Sequence, residues 1–221
     1  ANAVGLDWLG ERVDAVRIAS TQGAAGRLKA GRVVVALGGI ETTRFLLVNA
    51  RQAPPGSGLG SAMLGRCFAD HFGLTPAEAL LPAQLQYARL EHPTGTVMPV
   101  LALRADAQRA LATPDFCITL VPQPEVGSLG FRGGQHWRYR MQLICEPPAN
   151  PDNRITLLDE VDRLGVPRLR LDWHVAPDDF RASVASLREV GAELGALGLG
   201  RLRTFDEAEF AQGAPSVGFH H

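Results

Sequence analysis

The stretch HWRYRMQLIC, residues 136–145, alternates from one residue to the next: Trp137, Tyr139, Met141 and Leu143 fall on one side, and His136, Arg138, Arg140 and Gln142 on the other. Successive side chains of a strand point to opposite faces, so the stretch reads as a strand with one covered and one polar face. The pattern recurs at 168–173, where Leu169, Leu171 and Trp173 alternate with Arg168, Arg170 and Asp172. Half-buried strands of this kind belong to antiparallel sheets. With 154–158, and across an acidic turn holding Gly165 and Pro167, 168–173 predicts a hairpin. Short β-type runs also fill 72–122, clearest at 96–103 and 116–121, and a glycine-rich connection at 123–135 leads into 136–145.

Outward from this sheet the periods change. Pro177-Asp178-Asp179 opens a helix, since proline suits the first turn and acids suit its positive end. Phe180, Val184, Leu187, Val190, Leu194 and Leu197 follow at spacings of three and four, one apolar face, and Gly198 and Gly200 stop it. Towards the start of the chain, residues 13–20 read as a strand, Gly23 and Gly26 as a turn, and 27–32 as a more exposed strand. Residues 33–37, VVVAL, are β-branched without alternation, the signature of a strand buried on both faces of a parallel sheet. Gly38-Gly39 ends it, and 40–49 reads as a helix with Glu41 in its first turn. Prolines and glycines at 51–60 make a linker. The order is a Rossmann-like piece, a linker, an antiparallel sheet and a long helix: an α+β fold. The expected domains are 1–66, 67–205, and a returning segment at 206–221.

Composition narrows the function. Of 221 residues 46% are hydrophobic and 20% charged, which suits a globular chain, and a net charge of −1 offers no basic surplus for nucleic acid. No apolar run reaches the length of a membrane span. Cys67, Cys117 and Cys145 are widely spaced and odd in number, which argues against a disulfide framework and a zinc site; no metal is expected. They read as small buried hydrophobes. No initiator Met and no signal peptide open the chain, which reads as an interior piece of a longer protein. The expected location is the cytoplasm, or the periplasm were a signal to precede Ala1.

Four segments could carry chemistry. The turn Ala36-Leu37-Gly38-Gly39 lets backbone approach a ligand, and the helix start supplies free N–H groups. A G-x-G-x-x-G after a strand is missing, however, so the diglycine alone also reads as plain topology. Asp70-His71 in GRCFADH suggests acid–base work, but sequence neighbours rarely face one spot, and a structural role is the stronger reading. Glu146, at a strand end before a rigid proline loop, could face a pocket. His220 and His221 are imidazoles able to take a proton from an alcohol, or a solvated tail.

Together these segments resemble the glucose–methanol–choline (GMC) family of flavin oxidoreductases. VVVALGGIETTRFLL (33–47) is similar to the family's VVVAAGGIENxRLLL segment, and GRCFADH (65–71) to its GRxFxDH segment. NPDNRITL (150–157) and DRLGVPRLRLDW (162–173) follow its PNPxSRVTL…LG.P…LDW stretch, and GFHH (218–221) begins like its H-x-x-G-T motif. The family's N-terminal glycine fingerprint and the second catalytic residue have no counterpart here. The resemblance implies FAD as cofactor, with Ala36, Gly38 and Gly39 against it, and a small-molecule alcohol as substrate. His220, or less strongly His221, is then the base while hydride passes to flavin N5. Strands around Met141, Leu143 and Cys145 are then the pocket wall. The alcohol and the electron acceptor are not specified, and this chain alone is expected to hold FAD poorly and to be inactive. Competing readings are a stand-alone, non-catalytic binding domain and, more weakly, an NAD-type dehydrogenase, whose glycine fingerprint is missing.

Overall fold

A computed structural model describes residues 1–85, 90–97, 100–123, 129–131 and 134–205. In chain order the elements are β1 (Asn2–Leu9), β2 (Arg12–Ala19), β3 (Ala25–Leu28), α1 (Gly39–Ala50), β4 (Phe72–Leu81), β5 (Leu90–His92), β6 (Gly95–Val97) and β7 (Leu101–Ala102). They continue with α2 (Ala105–Leu111), β8 (Asp115–Pro122), β9 (Leu129–Phe131), β10 (Gly134–Glu146), β11 (Arg154–Val161), β12 (Pro167–Asp172), α3 (Pro177–Ala196) and β13 (Arg201–Thr204). The fold is α+β, and every strand pairing among the described residues is antiparallel. Among the described residues no helix is long and apolar enough to cross a membrane.

Contacts divide the chain into two units. Among the described residues the first holds Ala1–Ala69 and Ala149–His174, and the second holds those of Asp70–Pro148 and of Val175–Phe205. The sequence reading placed 149–174 with the sheet domain. Its hairpin β11–β12 instead packs on α1, which is why the chain crosses back.

In the first unit β1, β2 and β3 form an antiparallel meander, and α1 packs against β1. One polar residue fixes that packing: buried Asn49 of α1 accepts the Leu6 N–H at 2.6 Å and donates to the Phe45 carbonyl at 2.7 Å. A buried amide with both ends bonded stabilises rather than costs. Residues 33–37 correct the sequence reading. They form no strand; Val33, Val34 and Leu37 are exposed, Val34 at 86%. A strand exists only where a neighbour accepts its hydrogen bonds, and no described strand pairs with this segment. β3, at the edge of the meander, is exposed throughout and ends at Leu28, short of the expected 27–32.

In the second unit six described strands form one sheet, ordered β13-β4-β10-β8-β7, with β9 pairing off β10. The expected strand at 96–103 is two short pieces, β6 pairing with β5 and β7 with β8. The strand 136–145 lies within β10, at the centre. β4 bulges at Thr75-Pro76, which together oppose Gln142 alone. Proline lacks an N–H for the ladder, so the bulge is where a central strand tolerates it. Phe72, Leu74, Ala77, Ala79 and Leu81 of β4 are buried, with Phe116, Ile118 and Leu120 of β8 and Tyr139, Met141, Leu143 and Cys145 of β10.

α3 covers that face. Its Ser183 lies beside the Cys145 thiol, and Gly191 lies against Leu202 of β13. Of the expected apolar face Leu187 is buried, together with Ser183 and Ser186, while Leu197, at the very end of the helix, is 60% exposed. The two hydroxyls bond back to the helix, Ser183 to the Asp179 carbonyl and Ser186 to that of Ala182, both at 2.8 Å.

Candidate functional site

Segments far apart in sequence interlock in the first unit. Gly65 has φ 84, and a Cβ there would stand 2.6 Å from the Ile155 carbonyl, so only glycine fits. Its own carbonyl accepts the Ile155 N–H at 2.7 Å, and three residues on the Phe68 N–H donates to the Asn153 carbonyl at 2.9 Å. Arg66 and Arg154 form a β-bridge between these bonds, and Arg66 Nη1 donates to the Pro151 carbonyl at 3.2 Å. The Phe68 ring meets Trp173 edge to face, centroids 6.3 Å apart. Asn153, fully buried, holds the His174 backbone through both ends of its amide.

Arg44 of α1 ties in the hairpin. Its Nη2 bonds Asp162 Oδ2 at 2.7 Å, and its Nε donates to the Pro167 carbonyl at 2.8 Å. Asp162 Oδ1 also accepts the Leu164 and Val166 N–H groups. Desolvation pushes the Asp162 carboxyl up, but the Arg44 bond and these backbone donors outweigh it and hold it below its usual value. Arg44, residues 65–68 and residues 150–174 are therefore tied together by hydrogen bonds.

At the start of α1 Gly38 has φ 81, and no side chain caps the helix. The Thr42 hydroxyl accepts the Leu37 N–H at 3.0 Å, and the Thr42 N–H reaches the Gly38 carbonyl at 3.0 Å. A Cβ on Gly38 or Gly39 would meet nothing within 4 Å. Ala36, Gly38 and Gly39 are exposed, so the unspent N–H groups of the first turn are open to a ligand. The residues fit a cofactor approached by backbone.

In the second unit His71 Nε2 lies 3.1 Å from Glu146 Oε1, and Asp70 Oδ1 accepts the His71 N–H. The imidazole and carboxylate share a cavity of about 220 Å³ with Asp115, Cys117 and Ile144. Such a pair can hold a proton at Nε2. Glu146 thus does face a pocket, as its place at a strand end allowed. His174 contributes its backbone to Asn153, while its side chain is exposed.

One sequence expectation changes here. Met141, Leu143 and Cys145 are fully buried beneath α3, so they line no pocket, and burial pushes the Cys145 thiol up to about 12. The face open to a ligand is the opposite one, with Arg138, Arg140, Gln142, Ile144 and Glu146. His220 and His221 lie outside the described residues. The sequence reading missed Glu78, more than four-fifths hidden among arginines of that open face. The bulge at Thr75-Pro76 breaks the alternation of β4 and conceals which face Glu78 occupies.

No protein-family model matches the chain, and none of the curated proteins matches it.

Proposed function

We propose that the chain is part of an FAD-dependent oxidoreductase acting on an alcohol, similar to the GMC flavoenzymes. The observation that carries this reading is the interlocking of the resembling segments. Segments 33–47, 65–71 and 150–173 run in the family's order, and they bond to one another through the residues that make the likeness: Arg44, Gly65, Phe68, Asn153, Asp162 and Trp173. Three chance likenesses would give no reason for such partnership.

In this reading Ala36, Gly38 and Gly39 lie against FAD, the two glycines offering backbone that no Cβ obstructs. FAD supplies the hydride acceptor when bound. His220 takes the hydroxyl proton, a task suited to imidazole near neutral pH, and His221 is the second choice. The three free cysteines suit a reducing compartment, in keeping with a cytoplasmic location.

The test is His220→Ala in the complete gene product that contains this chain. Turnover of its alcohol should fall by roughly 100-fold or more, the usual worth of a general base, while flavin stays bound. Undiminished turnover would remove His220 from the mechanism.

A further inference from the structure

The open face of the second unit's sheet carries a concentration of positive charge that the chain's overall balance hides. In one row of the sheet Arg140 of β10, Glu78 of β4 and Arg203 of β13 stand opposite one another; in the next row stand Arg138, Leu80 and Arg201. Alternation puts all four guanidinium groups on the side away from α3, since Tyr139, Met141 and Leu202 point the other way. Among the described residues, Glu78 is the carboxylate within these rows. Its Oε2 lies 3.7 Å from Arg203 Nη2 and 3.9 Å from Arg138 Nε, beyond hydrogen-bond range of both. Arg140 and Arg201 pair with no carboxylate among the described residues.

The arrangement has a definite size. Residues two apart on a strand are about 6.8 Å apart, and next-but-one strands about 9.6 Å, so four arginines frame a rectangle of roughly 7 by 10 Å. His136 continues the row along β10. With Leu80, Pro82, Arg201 and the glycine turn after α3 it lines a concavity of about 760 Å³ beside the rectangle. Guanidinium groups present paired donors that match carboxylate and phosphate oxygens. Like charges held this close repel until an anion sits between them. Arg140 and Arg201, which pair with no carboxylate among the described residues, carry that repulsion.

We infer that the open face around Arg138, Arg140, Arg201 and Arg203 binds a small molecule bearing an oxyanion group, carboxylate or phosphate. The patch is too short for a nucleic-acid backbone, whose phosphates run in a track, and a chain of net charge −1 lacks the general attraction such binding needs. The flavin reading need not hold for this site to exist.

The test is calorimetric titration of the 221-residue chain with succinate, with inorganic phosphate and with glycerol, at one ionic strength. Saturable binding of succinate or phosphate but not glycerol is expected, and the tighter of the two identifies the oxyanion. Arg140→Gln and Arg201→Gln, both at exposed positions, should each weaken that binding by roughly tenfold while the melting curve stays unchanged. Absence of saturable binding by both anions would overturn the inference. So would affinity unchanged in both variants, or binding confined to poly-glutamate or an oligonucleotide.

Discussion

Gly65 is held from two sides. Its left-handed backbone disfavours any side chain, and the Ile155 carbonyl occupies the space a methyl group would need. Gly65→Ala should therefore destabilise the first unit by more than about 2 kcal/mol, adding backbone strain to a clash that only a shift of β11 relieves. Urea denaturation measures it, and a loss within experimental error would contradict the close approach. The Arg44–Asp162 bond is a second residue-level test. A double-mutant cycle with Arg44→Met and Asp162→Asn should give a coupling of about 1–3 kcal/mol near neutral pH. The sign with pH follows from the lowered Asp162 value. The bond stabilises the fold fully above the unfolded carboxylate value near 4, and the contribution disappears as pH falls through the lower folded value. The stability gap between the wild-type chain and Asp162→Asn should narrow over that acid window. A gap that stays constant would mean that the ion pair contributes nothing.

At the scale of elements, identical-looking apolar runs have different fates. The valines of 33–37 read as the heart of a sheet, yet they lie exposed because no described strand offers them hydrogen bonds. Val34→Asp should change stability of this chain by no more than about 0.5 kcal/mol, as at other exposed positions; a cost of several would show that the segment is packed. Leu187 is the opposite case. It is the large side chain fully buried on α3, and Leu187→Ala should cost about 2–5 kcal/mol by denaturant titration. Period alone predicted the covered face of α3: Leu187 is buried and Phe180, Val184, Val190 and Leu194 are half-buried, with only Leu197 at the helix end exposed. It did not show that Ser183 and Ser186 join that face, which they can because their hydroxyls bond their own helix backbone. The alternation of 136–145 told which residues share a face. It could not tell which face α3 would cover, and so Met141, Leu143 and Cys145 were expected at a pocket they do not reach.

Across the whole molecule, the antiparallel sheet, the β11–β12 hairpin and both long helices were legible, because their periods are local properties of the chain. The crossing back at Ala149–His174 was not, since it depends on bonds over a hundred residues long in sequence, such as Arg44 to Asp162. The arginine rows were equally hidden: Arg138 and Arg140 are visible in one strand, but only register brings Arg201, Arg203 and Glu78 beside them. The candidate cofactor turn was read correctly as a glycine-led helix start, whereas the strand before it was not. What joins these scales is the proposal that the interlocked segments belong to a flavin enzyme. The most direct measurement is the absorbance spectrum of the complete gene product, taken without oxygen, before and after a panel of alcohols is added. A bound flavin whose visible bands bleach with one of them is the predicted result. A colourless protein, or a flavin that no alcohol reduces, would contradict it.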